Sequence, residues 1–199
     1  MTGHLSPAAA IRAVPARTFL RVDDLPGTST TVRKALSRAA KDGVVVRITP
    51  GLYYKGVSTR YGMTRPSEGE ALKVVLGERG VGPAGYSAAR AWGVTTQIPA
   101  VTELATLGAR KKLKNVNLIT RSNLRRADLN GMEIALLELL RDPVPLVESG
   151  WDSLIERVRK AAHDGTIRPQ ALQAALPGES SRAVRDNFVK LRAALGTAA

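Results

Sequence analysis

The stretch from Thr28 to Tyr54 constrains this chain most, because an amphipathic helical pattern runs straight into a β-branched hairpin pattern. Val32, Ala35, Leu36 and Ala39 recur at helical spacing after Thr28-Ser29-Thr30-Thr31, and Gly43 ends the pattern. The spacing then predicts a strand over 44–49, a type II turn centred on Pro50-Gly51 and a returning strand through Leu52, Tyr53 and Tyr54. Upstream, Ser6 as N-cap and Pro7 at the first helical position open a short helix over 8–14. A second short helix over 21–25 is closed by Pro26-Gly27. Phe19, Leu25, Val45, Ile48 and Leu52 are expected in the core, with one of Tyr53 and Tyr54 inside and the other free to touch a partner.

Helices followed directly by a two-stranded hairpin are ordered as in a winged helix-turn-helix, and that is the expectation for residues 1–60. On the helix that runs from Thr28 to its end at Gly43, 100° per residue puts Val32, Leu36 and Ala39 inside. Thr30, Lys34, Ser37 and Lys41 then lie outside, flanked by Arg33 and Arg38. A recognition helix needs this division, since its inner stripe packs and its outer residues enter the major groove. Arg and Lys there can read guanine edges or bind phosphate, and Ser29, Thr30 and Thr31 at the helix start can join backbone amides in holding a phosphate. In the hairpin, Arg47 and Lys55, with Arg60 beyond it, are expected to reach the DNA backbone or minor groove. The DNA-binding set is therefore Ser29, Thr30, Thr31, Arg33, Lys34, Ser37, Arg38, Lys41, Arg47 and Lys55.

Charge supports a polyanionic partner. The 199 residues hold 30 Lys and Arg against 17 Asp and Glu, a formal charge of +13. Residues 1–60 carry ten basic and three acidic side chains, net +7, so the shorter segment is the denser in positive charge. Cysteine is absent, which excludes disulfides, thiolate metal sites and cysteine nucleophiles. No uninterrupted apolar stretch of signal or membrane-span length is present, so a cytoplasmic protein without membrane association is expected.

Gly, Ser, Thr and Pro cluster over 56–66, which marks a domain boundary and a second domain over 67–199. There the patterns predict helices over 68–78, 87–92, 132–141, 151–163, 169–176 and 180–195, and strands over 101–107 and 116–121. The expected class is α+β: a winged helix-turn-helix followed by a mixed α/β, mainly helical, domain. That domain carries a second basic group, Arg110, Lys111, Lys112, Lys114, Arg121, Arg125 and Arg126, which reads equally as a solvated loop and strand edge or as a surface for a partner.

Phe19, Asp24-Leu25, Val32-Arg33-Lys34-Ala35-Leu36-Ser37, Gly43, Arg47-Ile48 and Gly51-Leu52-Tyr53 together resemble the N-terminal winged helix of AbiEi-type antitoxins. Tyr86-Ser87-Ala88-Ala89, Trp92-Gly93-Val94, Gln97-Ile98-Pro99 and Thr106 resemble the second domain of that family; Pro50 stands where a basic residue is expected. The resemblance implies a bifunctional antitoxin of the type IV kind. It would repress its own operon through inverted repeats in double-stranded DNA and counteract a nucleotidyltransferase toxin, by direct contact or functionally. Two copies would meet on the repeat, as a preformed dimer or as monomers. The second reading is a winged-helix regulator with a ligand-sensing second domain, and the third an RNA-binding module, which the scarcity of aromatic residues disfavours.

Other motifs point away from catalysis. Gly80, Gly82 and Gly85 match a dinucleotide fingerprint with Glu103 downstream, but a helical pattern rather than a strand precedes them and Pro83 interrupts the loop. They are read as a Gly-rich turn, with no cofactor implied. His4 and His163 are isolated, the latter at a helix end, and Asp23-Asp24 sits at a turn without catalytic or metal-binding partners. No enzyme is expected. Leu176-Pro177-Gly178 with Ser and Val184-Arg185 echoes Leu25-Pro26-Gly27 with Val32-Arg33, an arrangement that capping alone also produces.

Overall fold

The computed structural model describes residues 5–108 and 115–196, and the chain divides into two compact units, 1–73 and 74–199. Architecture is mixed α and β. The division falls inside a helix that begins at Glu68, later than the composition shift over 56–66 suggests.

The first unit begins with α1 (Pro7–Ala13), where Ser6 accepts a hydrogen bond from the Ala9 amide at 3.3 Å. Strand β1 (Thr18–Arg21) follows, then a 3-10 turn over Val22–Asp24 in place of the predicted second α-helix. That segment is too short for α-helical bonding. Asp24 caps it by accepting the Arg21 amide at 2.7 Å, and Pro26 follows closely. Helix α2 (Ser29–Lys41) is capped by Thr28, whose hydroxyl accepts from the Thr31 amide at 3.3 Å.

Strands β2 (Val46–Thr49) and β3 (Leu52–Lys55) form the expected hairpin. Thr49 lies opposite Leu52, and Gly51 has φ +82°, the left-handed region that a type II turn demands at its second central residue. β1 pairs antiparallel with β3 on its other edge, giving the sheet order β1-β3-β2. A further small hairpin joins β4 (Ser58–Thr59) to β5 (Gly62–Met63).

Ile11, Leu20, Val22, Leu25, Val32, Leu36, Val45 and Tyr53 form the core of this unit. Leu52 is buried as expected, whereas Phe19 and Ile48 are half-buried. Both adjacent tyrosines are buried, which corrects the expectation that one would be free. Tyr53 packs with the helices, and Tyr54, facing the other way on its strand, lies 4.9 Å from Phe19 ring to ring.

Helix α3 (Glu68–Leu76) spans the division between units. The second unit holds β6 (Val81–Pro83), α4 (Gly85–Ala91), β7 (Thr102–Thr106), β8 (Val116–Thr120) and α5 (Gly131–Leu139). The short α6 (Pro143–Leu146), then α7 (Trp151–His163), α8 (Pro169–Ala175) and α9 (Arg182–Gly196) complete it. β7 pairs antiparallel with β6 and parallel with β8.

Helix α5 is buried on every side, as befits a central helix: Ile134, Ala135, Leu136, Leu137 and Leu139 are enclosed, as is Leu140 at its end, and so are the carboxylates Glu133 and Glu138. Around it pack Ala88, Trp92, Leu154, Val158, Leu172, Val184 and Phe188 from α4, α7, α8 and α9. The Gly80-Gly82-Gly85 motif belongs to this packing. A Cβ on Gly82 would come within 2.5 Å of the Gly131 carbonyl oxygen and 2.7 Å of Ile134 Cβ, so β6 lies against the start of α5. The two Leu-Pro-Gly segments are not structural copies. Gly27 takes φ +116°, whereas Leu176–Gly178 is itself a 3-10 turn whose glycine leaves room for Asn123.

Candidate nucleic-acid interface

The inner face of α2 is fixed by Val32 and Leu36, both fully buried. With that stripe inside, helical geometry turns the other side outward, and Ser29, Thr30, Thr31, Arg33, Lys34, Ser37, Arg38 and Lys41 are all exposed. Among the described residues, Arg33, Lys34, Arg38, Lys41 and Arg47 make no ion pair. The Thr31 hydroxyl sits 2.8 Å from that of Thr28, so it serves the helix cap as well as facing outward. Lys34 and Arg38 also rim a recess of about 370 Å³ between α1 and α2, together with Ser6, Arg12 and Thr31.

Arg47 is exposed on β2 beside an irregularity in the pairing with β3. Lys55 behaves otherwise. Its ammonium donates to the carbonyl oxygens of Ile11 at 3.2 Å and Arg12 at 2.5 Å, satisfying two carbonyls at the end of α1. It is thus a helix-ending clasp, and its place among groups reaching for DNA is corrected. At the tip of the β4–β5 hairpin, the Arg60 guanidinium lies 4.6 Å from the centre of the Tyr61 ring, which is 84% exposed. Sequence patterning left this small hairpin unassigned because Gly and Thr dominate it.

The basic group of the second unit divides differently from its reading as one surface. Arg110, Lys111, Lys112 and Lys114 lie outside the described residues. Arg125 is exposed, with its guanidinium 3.4 Å from the Ala174 carbonyl. Arg126 is 1% exposed and therefore forms no part of a surface. Its guanidinium donates to both oxygens of Glu179, at 2.6 and 2.8 Å, and to Glu138 at 2.6 Å. Arg121 donates to both oxygens of Glu138 at 3.0 and 2.5 Å. Asn123 and Arg141 add contacts to Glu179 at 2.5 and 3.4 Å.

Burial raises the Glu138 carboxyl, but Arg121 and Arg126 more than reverse this and hold it below the ordinary carboxylate range; Glu179 is lowered in the same way, chiefly by Arg126 and Asn123. A third buried carboxylate, Glu133, caps α5 by accepting the Asn130 amide and also binds the Arg168 amide and guanidinium at 2.7 to 2.9 Å. Arg168 in turn is raised above its ordinary value, mainly by Glu133. These carboxylates were unremarkable in the sequence because nothing within several residues of Glu138 or Glu179 reveals the distant arginine that each binds.

Among the described residues no cluster of His, Asp and Glu is placed to hold a metal ion, and no helix is long and apolar enough to cross a membrane. His163 is exposed at the end of α7, 3.3 Å from Asp164, and His4 lies outside the described residues.

No family model matches the chain, and no curated protein matches it. Among solved structures, that of the RV2827C protein from Mycobacterium tuberculosis aligns with 94% of this chain and 80% of its own, at 13% identity and a TM-score of 0.43. So loose an overlap carries no argument about function.

Proposed function

We propose that the first unit is a winged helix-turn-helix and that the chain is a DNA-binding repressor that uses α2 as its recognition helix. One observation carries this reading: the solvent face of α2 presents Arg33, Lys34, Arg38 and Lys41 without acidic partners, among the hydroxyls of Thr30 and Ser37. An exposed row of one sign suffers a repulsion that a polyanion relieves, and phosphate neutralisation releases condensed counterions. The order of α1, β1, 3-10 turn, α2 and hairpin, with the strands ranked β1-β3-β2, fits a helix presented beside a wing. Arg47 on the hairpin supplies a backbone contact.

The test is a gel-shift titration with the promoter fragment of the chain's own gene. Replacing Arg33, Lys34 and Arg38 with Ala weakens binding at least tenfold, given about 1 to 3 kcal/mol for each base-reading contact. Binding unchanged by the triple replacement rejects α2 as the recognition helix. Because one helix and one wing read a short site, the footprint covers an inverted repeat holding two copies.

The resemblance to AbiEi-type antitoxins extends this proposal: the repressor is a non-enzymatic, cytoplasmic antitoxin that counteracts a nucleotidyltransferase toxin encoded beside it. Rescue of growth on co-expression with that toxin is the expected result, and failure of the full chain to rescue leaves a repressor without antitoxic activity. Arg125 is the member of the second unit's basic group that is both described and exposed, so it is the first of that group to replace in the rescue assay.

A further inference from the structure

The ion network of the second unit does not balance. Arg121, Arg126 and Arg141 surround Glu138 and Glu179, leaving one positive charge in excess, and the Arg185 guanidinium binds the Glu179 carbonyl and adds another. The excess is concentrated at Arg141. Its Nε is buried without a hydrogen-bond partner among the described residues, 3.8 Å from Glu138, and its contact to Glu179 is long at 3.4 Å. Burial lowers the Arg141 guanidinium below its ordinary value, and the nearby Arg121 and Arg126 oppose the attraction of the two glutamates.

Beside this arginine opens a recess of about 110 Å³ lined by Thr120, Arg121, Ser122, Asn123, Arg141 and Ser180, with Glu179 at its wall. Glu179 does not make the recess acidic, because Arg126 binds both of its oxygens. The hydroxyls of Ser122 and Ser180 have no protein partner among the described residues, so hydroxyl donors from two separate segments remain available beside the unbalanced cation. At about 110 Å³ the recess has room for a tetrahedral oxyanion.

We propose that this recess is an oxyanion subsite that takes a phosphate group, with Arg141 and Arg121 supplying charge and Ser122 and Ser180 supplying oriented hydroxyl donors. A terminal, dianionic phosphate suits it better than an internal diester, which brings one charge and two ester substituents into the same volume. Occupancy ties the end of β8 to the start of α9. The site is independent of α2 and of the DNA-binding reading.

The experiment uses the full chain at neutral pH. Thermal unfolding is followed by tryptophan fluorescence, which reports on the second unit because both tryptophans, Trp92 and Trp151, lie there. Inorganic phosphate raises the midpoint beyond potassium chloride at equal ionic strength, as a ligand of the native state must. Ser122→Ala with Ser180→Ala, which leaves every ion pair in place, weakens the apparent phosphate affinity at least tenfold, since even one hydrogen bond to a charged group is worth about that much. Arg141→Gln removes the phosphate response. Adenosine monophosphate, tested against phosphate with free adenosine, separates the two sources: tighter binding of the nucleotide assigns a nucleotide's terminal phosphate, and equal binding assigns the free ion. No phosphate-specific shift in the parent, or an undiminished shift in the double serine variant, overturns the proposal.

Discussion

Both units are basic, but they hold their charge in opposite ways. In the first, Arg33, Lys34, Arg38 and Lys41 stand in solvent along one helix without carboxylate partners. In the second, Arg126 is enclosed and Arg121 half-buried, each held by carboxylates that are themselves buried. A basic residue read from sequence can therefore be either of two things: part of an outward-facing row, or part of an internal lattice that joins helices. On the DNA-binding proposal the first costs little to alter in stability and much in binding, and the second the reverse.

Breaking the lattice gives the largest effect. Arg126→Met leaves Glu138 and Glu179 underpaired in the interior and destabilises the second unit by about 3 to 5 kcal/mol, measured as a lower urea midpoint by tryptophan fluorescence. A midpoint within experimental error of the parent would abolish the contrast. Replacing Arg33, Lys34 and Arg38 with Ala does the opposite: each exposed replacement changes stability by no more than about 0.5 kcal/mol. The salt dependence of DNA binding flattens, by about 0.9 in log–log slope for each phosphate no longer neutralised. A slope that stays put would deny those side chains a phosphate.

Acid sharpens the comparison further. Glu133, Glu138 and Glu179 all titrate lower in the folded chain than the ordinary value of 4.5, so their stabilisation is complete above that value and is lost as pH falls through the lowered folded values. Tryptophan fluorescence should thus report a second unit whose stability is constant from neutrality to about pH 5 and declines progressively below pH 4.5. Glu138→Gln shifts that acid transition. A flat profile to much lower pH would count against the pairing. The smallest effect belongs to Lys55→Met, which removes the donor to the Ile11 and Arg12 carbonyls. It costs about 0.5 to 1 kcal/mol in stability while leaving the DNA salt slope as it was. A shallower slope would restore Lys55 to the interface.

What the sequence made legible follows the range of the forces involved. Helix α7 begins at Trp151 and ends at His163 as the periodicity predicts, because an amphipathic stripe is written within the helix itself. The outward row on α2 was legible for the same reason. β1 was not, since its four residues are strand only through pairing with β3, Thr18 lying opposite Lys55. β6 reads as a turn in the sequence because Gly82 and Pro83 are poor strand formers, and only its bonds to β7 and its close seat on α5 make it a strand. The location of Arg126 was illegible in the same sense. An arginine surrounded in sequence by Arg125, Asp128 and Asn123 looks like surface until Glu179 arrives from 53 residues away.

That separation also orders events in time. Arg126 meets Glu138 across 12 residues but Glu179 across 53, so closing the second contact carries the greater loop entropy. Contacts that form after the rate-limiting barrier govern how fast a protein comes apart rather than how fast it folds. A contact of that span is expected to close late, and the clasp between Arg126 and Glu179 would then act as a latch on the lifetime of the second unit.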